Sequence, residues 1–216
     1  MNGHKKTRSP VESKHTKIQR DFFDQRAPRW DEICQHDYEK IEYVMEKLSI
    51  TGKERILDVG TGTGVLIPHY QRRLTTGSVF AFDCSKNMIE VALSKFPKKT
   101  HPNVVFAVAD LYDINYECEF DLAVCYSCFP HFQEKNRAIA IIKHALKPGG
   151  LFAVAHIDSR EKLNRVHTEA GEEVSGDKLP PIEDLNRLVI KAGLVPQFQQ
   201  DDSDYYILIA TKPQTA

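Results

Sequence analysis

Three carboxylates and three glycines stand at spacings that can hold a charged ligand. In Ile56-Leu-Asp-Val-Gly-Thr-Gly-Thr-Gly64 a short apolar run carries Asp58 near its end, and Gly60, Gly62 and Gly64 follow at every second position, with Thr61 between the first two. Such a loop turns tightly and brings bare backbone close to a ligand. A dinucleotide fingerprint needs Gly-x-Gly-x-x-Gly, but its third glycine position falls on Val65 counted from Gly60 and on Ile67 counted from Gly62. The carboxylate of Asp58 beside the loop would repel a pyrophosphate and attract a cation. Asp83 closes the apolar run Ser78–Asp83, and Asp110 follows Val104–Ala109. An ionised carboxylate is acceptor-only, which suits Asp83 to a pair of ribose hydroxyls. Together these residues predict a site for a nucleoside with a positive amino-acid tail, off the ends of parallel strands.

A second group is made of histidines. His131 ends Cys125-Tyr-Ser-Cys-Phe-Pro-His131, His156 stands at the end of the apolar run Leu151–Ile157, and His167 lies in the helical pattern that follows. An imidazole exchanges protons near neutral pH, so each could take the proton of an attacking hydroxyl or thiol. The sequence does not choose among the three. Cys125-x-x-Cys128-x-x-His131 has soft-metal spacing, yet His156 is the sole nearby fourth ligand, so small side chains packed at a strand end are the preferred reading and no metal is expected. The five cysteines are an odd set without scaffold spacing and read as reduced thiols.

The elements that must position these groups alternate. Apolar runs at Arg55–Val59, Ser78–Asp83, Val104–Ala109, Phe120–Tyr126 and Leu151–Ile157 fit buried parallel strands. Helical patterns at Val65–Leu74, Lys86–Lys95 and Gln133–Leu146 lie between them, with Ser85 as an N-cap and Pro148-Gly149-Gly150 as a stop. Leu163, Val166, Ala170 and Val174 mark a further amphipathic helix, and Pro181–Ala192 another, capped by Gly193. Val195–Gln200 and Tyr205–Lys212 are close enough to demand an antiparallel hairpin. Ahead of the sheet, Ile18 to Leu48 reads as helical with a break at Ala27-Pro28.

On these residues the chain resembles the class I S-adenosylmethionine-dependent methyltransferases, whose first motif is hydrophobic-Asp-x-Gly-x-Gly-x-Gly. The likeness runs from about Phe22 to Lys212. It implies a Rossmann-like α/β fold with a seven-stranded sheet in the order 3-2-1-4-5-7-6, helices on both faces, and S-adenosylmethionine as cofactor. It implies that Asp58 and the loop Gly60, Thr61, Gly62, Gly64 hold the methionine portion, Asp83 the ribose, and Asp110 with the backbone of Leu111 the adenine. Cys84 and Met88 follow Asp83 directly; Met88 lies either against the adenine or in the core. Tyr126 and Ser127, just past the fourth strand, are expected near the transferred methyl. The segment Phe22-Phe-Asp-Gln-Arg-Ala-Pro-Arg-Trp-Asp31 resembles that of the quinone-biosynthesis C-methyltransferases, with Trp30 where a tyrosine is typical, and is expected to close as a lid.

Composition sets the outer limits. With 216 residues and 41% hydrophobic content, one domain is the simplest expectation. The expected layout is a disordered basic tail over 1–16, a helical lid over 17–50 and a methyltransferase domain over 51–216. A net charge of −1 gives no reason to expect nucleic acid or an anionic membrane as partner. No secretory h-region follows the basic start, and a cytoplasmic enzyme acting on a small-molecule methyl acceptor is expected. A non-catalytic cofactor-binding protein and, behind it, a nicotinamide-dependent reductase are the alternatives. The oligomeric state is open.

Overall fold

The computed structural model describes residues 14–214. The expectation of a disordered tail over 1–16 lies largely outside the described residues; where description begins, the chain is already in helix α1, Lys14–Arg26. A 3-10 turn at Ala27–Arg29 breaks the helical run at Pro28, as the sequence predicts. Helix α2, Trp30–Ile33, and helix α3, Tyr38–Leu48, complete the N-terminal segment. Asp37 caps α3 by accepting from the Lys40 amide at 3.1 Å, and Ile41, Val44, Met45 and Leu48 form its buried face.

The rest is a three-layer α/β/α sandwich. Its strands are β1 Arg55–Val59, β2 Ser78–Asp83, β3 Val104–Val108, β4 Phe120–Tyr126, β5 Leu146–His156, β6 Val195–Asp201 and β7 Tyr206–Thr211. They order as β3-β2-β1-β4-β5-β7-β6 in one sheet. Pairing is parallel from β3 through β5 and antiparallel at β5–β7 and β6–β7. The family order and the terminal hairpin are therefore both present. Helices α4 Ile67–Arg73, α5 Lys86–Lys95, α6 Lys135–Ala145, α7 Arg160–Glu169 and α8 Ile182–Lys191 connect the strands. One core, around Leu57, Phe152 and Leu208, packs under α6 and α8. The other, around Ile56, Ile67 and Ile207, packs under α3 and α4. Alternate residues of the same strands feed the two cores, since successive side chains point to opposite faces.

Several boundaries differ from the sequence reading, three of them for a visible structural reason. Helix α4 begins at Ile67 rather than Val65, because Gly64 to Leu66 are used to complete the loop: the Gly64 amide donates to Thr61 and that of Ile67 to Gly64. Strand β5 begins at Leu146 rather than Leu151. The turn Lys147-Pro148-Gly149-Gly150 is held against the sheet by Gly149 donating to Lys212 and Lys212 to Gly150, with Gly149 at φ 80°. The amphipathic helix expected to reach Val174 stops at Glu169, ahead of Gly171 at φ 133°, and no residue of α7 is buried. Val174 is instead buried within the loop 171–181 that follows. No described helix is long and apolar enough to cross a membrane.

Candidate active site

The C-terminal tips of β1 to β5 bring the predicted residues together. Asp58 is buried in β1, where its Oδ2 accepts from the Thr61 hydroxyl at 2.6 Å and its Oδ1 from the Tyr70 hydroxyl at 3.3 Å. Burial, aided by the nearby charge of Asp83, pushes the Asp58 carboxyl up to about 6. Its hydrogen-bond partners among the described residues are hydroxyls, with no cation among them.

The glycine loop is built by contact as well as by φ. Gly60 has φ +65°, and a Cβ there would lie 2.7 Å from the Cβ of Cys128. The Cys128 thiol in turn donates to the main-chain oxygen of Val59 at 3.0 Å, so this cysteine is a wedge beneath the loop. That close packing accounts for a small residue at Cys128; Cys125 is buried in the core. Gly62, at φ +56°, is different. A Cβ there meets only Trp30 Nε1, at 4.0 Å, so the loop is open on that side.

Asp83 ties the loop to the next strand. Its Oδ2 accepts from the Gly62 amide at 2.9 Å and its Oδ1 from the Ser85 amide at 2.9 Å. Burial raises its carboxyl while these two amides and the neighbouring His131 lower it. The two amides leave each oxygen a lone pair with which to accept from a diol. Asp110 caps the 3-10 turn Leu111–Asp113 by accepting from the Tyr112 amide at 2.8 Å, and Leu111 is buried behind it. The Cys84 thiol is pushed well up by burial and by the charges of Asp83 and Asp110, which keeps it neutral beside the acids. Met88 is buried, in the first turn of α5.

The N-terminal segment covers these tips through four polar anchors that sequence reasoning missed. Asp24 accepts from the Ser85 hydroxyl at 2.6 Å and from the Asn87 amide at 3.0 Å, placing a carboxylate at the N-terminus of α5. Asp31 accepts from Thr63 at 2.5 Å and pairs with Lys95 at 2.7 Å. His36 Nδ1 and the Tyr126 hydroxyl lie 2.8 Å apart. Gln19 donates to Asp177 at 2.6 Å and to the His131 carbonyl at 3.2 Å. Phe23 bridges Trp30 and His131 by edge contacts at 5.5 and 5.0 Å. Polar residues scattered through a helix and loops carry no periodic signal, and each partner here is distant in sequence.

Beyond Tyr126, Ser127 turns the chain with φ 54°, its amide donating to Ala155. The three histidines do converge. The rings of His131 and His167 are 5.0 Å apart, and the His156 ring, buried against Tyr206 at 6.0 Å, lies within electrostatic range of both. Asp177, from the loop after α7, joins His131 at 2.8 Å. No group of three or more metal-ligating side chains arranged for a cation occurs among the described residues.

Comparison with known proteins gives the same class. Residues 56–150 match the family described as methyltransferase domain. The methyltransferase GfsG of Streptomyces halstedii is 27% identical over 170 residues, covering 76% of this chain and 61% of that protein. The malonyl-[acyl-carrier protein] O-methyltransferase of Acetivibrio thermocellus is 27% identical over 139 residues, covering 63% and 48%. An S-adenosylmethionine-dependent methyltransferase from Aquifex aeolicus shares the fold at a TM-score of 0.67 and 19% identity, over 88% of this chain and 98% of that one. The chain spans about half the length of the curated relatives it matches. The strand order and the glycine loop are those of the class I S-adenosylmethionine-dependent methyltransferase fold, and residues 56–150 match the methyltransferase domain family. S-adenosylmethionine is the cofactor that this likeness implies.

Proposed function

We propose that the protein transfers a methyl group from S-adenosylmethionine to a small-molecule acceptor bound between the lid and the tips of β4 and β5. The observation that carries this reading is Asp58, a buried carboxylate pushed up to about 6 with hydroxyls for partners, at the foot of an open glycine loop. In this reading Asp58 and the backbone of Gly60, Thr61, Gly62 and Gly64 receive the methionine portion. Asp83 accepts from the ribose, Asp110 and Leu111 border the adenine, and the neutral Cys84 with Met88 supplies its apolar contact. Tyr126 and Ser127 flank the methyl.

The cofactor supplies an activated methyl on a cationic sulfur. The chain has to orient the two reactants and exclude water. Phe23 and Trp30 on the lid do the second, since their rings cover the loop and the histidines from one side. The anchors at Asp24, Asp31, His36 and Gln19 do the first by fixing the lid to α5, the loop, β4 and the loop after α7. His131, His156 and His167 stand on the acceptor side. The names of the relatives, among them a malonyl-[acyl-carrier protein] O-methyltransferase, favour a small acceptor group. The likeness of Phe22–Asp31 to the quinone C-methyltransferases extends this to a small metabolite.

Isothermal calorimetry with S-adenosylmethionine tests the reading. Asp83→Ala removes an acceptor for two ribose hydroxyls and should weaken binding by about tenfold to a hundredfold. Native protein should release radiolabelled methyl into the small-molecule fraction of a cell extract; label confined to protein, or none transferred, would contradict it.

A further inference from the structure

We infer that His131 is the base that takes the acceptor's proton, that Asp177 and Gln19 hold it in the tautomer able to do so, and that the acceptor's nucleophile is an ionisable O–H or S–H group. The inference rests on the methyl-transfer reading above and deepens it.

Asp177 is fully buried. Its Oδ2 accepts from His131 Nδ1 at 2.8 Å and from Gln19 Nε2 at 2.6 Å, while Oδ1 accepts from Gln133 Nε2 at 2.8 Å. A carboxylate only accepts, so the His131 proton sits on Nδ1 and the lone pair on Nε2. His167 is fixed the same way, because its Nδ1 donates to the main-chain oxygen of Asp177 at 2.6 Å. Two rings 5.0 Å apart therefore present Nε2 lone pairs, and neither Nε2 makes a hydrogen bond among the described residues. His156 adds an independent sign of a ligand. It is buried, and both of its ring nitrogens lack a hydrogen-bond partner. A hydroxyl, which donates and accepts, satisfies such a ring.

Position selects His131 from the three. It alone of the three has a buried side-chain carboxylate on Nδ1, since His167 is held by a main-chain oxygen and His156 by nothing among the described residues. Its ring packs edge-on against Phe23 of the lid. The charged and titratable groups facing it are Asp177 from the loop, His167 from α7, His156 from β5 and Asp83 from β2; Lys135 of α6 faces Asp177. Apart from Asp83, the one carboxylate in this set is already engaged by Gln19, Gln133 and His131. The two histidines thus offer Nε2 lone pairs as proton acceptors, which suits a nucleophile that arrives carrying a proton. A carboxylate nucleophile would have no proton to give, and a neutral amine, whose N–H is far less acidic than the imidazolium formed, gains nothing from this base before attack.

The step balances. The proton on the acceptor oxygen or sulfur passes to His131 Nε2, and the electron pair it leaves forms the new bond to the methyl carbon. The pair of the broken carbon–sulfur bond stays on the departing thioether. The imidazolium formed is balanced by Asp177. His131 is the catalytic residue; Asp177 and Gln19 are positioning residues.

The test uses the full chain, with a series of 4-substituted phenols and thiophenols of graded acidity as probe acceptors. In nitrogen-15 spectra His131 should carry its proton on Nδ1, and Asp177→Asn, whose amide would donate, should move it to Nε2. His131→Ala should slow methylation of the least acidic probes by about 10²-fold to 10⁴-fold, with much less effect on the most acidic, and added imidazole should restore it. S-adenosylmethionine affinity by calorimetry should stay within threefold in His131→Ala, which also shows that the variant is folded. A native Nε2–H tautomer, a uniform loss across the series, or no rescue would overturn the role of His131. Protein that binds the cofactor but methylates no phenol or thiol overturns the acceptor class. Failure to bind the cofactor at all is a separate failure, that of the underlying reading.

Discussion

The side-chain amide of Gln19, on the first helix, donates a 2.6 Å hydrogen bond to the carboxylate of Asp177, 158 positions later. Both groups are buried, and the same carboxylate oxygen holds His131. Helix α1 is therefore joined to the loop after α7 and to His131 by a polar contact that is costly to break away from water.

Gln19→Ala removes this contact and leaves a buried carboxylate short of one donor. A loss of about 1–3 kcal/mol is expected, falling on lid docking rather than on the sheet. Trypsin should then cut at Arg26 or Arg29 at least several times faster, read by gel time course, while the chemical unfolding midpoint of the sheet shifts little. Equal cleavage rates would count against the anchor.

Asp58 sets a pH dependence of cofactor binding. Its carboxyl stands at about 6 against a usual 3.8, so between these values the free folded protein keeps a proton that the unfolded chain has lost. The folded state therefore loses stability from this group as pH rises through that window. A cationic ligand favours the ionised form, so binding below about pH 6 must release the proton. Affinity should be flat above pH 7 and fall by up to about tenfold per unit below 6. Calorimetry in buffers of different ionisation enthalpy detects the proton, and Asp58→Asn should abolish it.

His156 has the opposite sign. Burial first, then the neighbouring His167 and His131, bring its ring down to about 3 from a usual 6.5. It is neutral in the folded protein where the unfolded chain is protonated, so its contribution is intact above pH 6.5 and is lost as pH falls toward 3. The slope is on the order of 1.4 kcal/mol per unit within that window. His156→Phe, facing Tyr206, should flatten the acid limb of urea unfolding measured from pH 7 to pH 4. An unaltered limb would mean that the ring is not the titrating group.

Two glycines of one loop should respond differently to alanine. At Gly60 the added Cβ meets Cys128 at 2.7 Å on a backbone with φ +65°, and a loss of about 1–3 kcal/mol in global stability is expected. At Gly62 the Cβ has space, so strain of roughly 1–2 kcal/mol is the main structural cost. The larger effect of Gly62→Ala should be on S-adenosylmethionine affinity, because the methyl group would project into the open side of the loop. Thermal melting and calorimetry on the two variants separate these outcomes.

Strands β1, β2 and β4 and helix α5 have the limits their apolar runs predict, because a buried strand or an N-capped helix is recorded in contiguous residues. The terminal hairpin and the acids at the strand tips were legible for the same reason. The limits of β5 and α7 were not. Leu146 to Gly150 join the sheet because Phe120 of β4 pairs with Leu146 and Lys212 bonds Gly149 and Gly150, and α7 ends on a glycine conformation its apolar spacing does not encode.

The histidines show where local pattern stops. Residue type and order, with the family resemblance, marked His131, His156 and His167 as candidate proton carriers and Asp58, Asp83 and Asp110 as candidate ligand acids, since side-chain chemistry travels with residue type. Only the tertiary structure brought Asp177, Gln133 and Gln19 around one imidazole, left His156 without a partner, and set Cys128 under Gly60. Those pairings join residues far apart along the chain, and a hydrogen bond or a steric fit is a property of positions in space, which the linear order of residues does not contain.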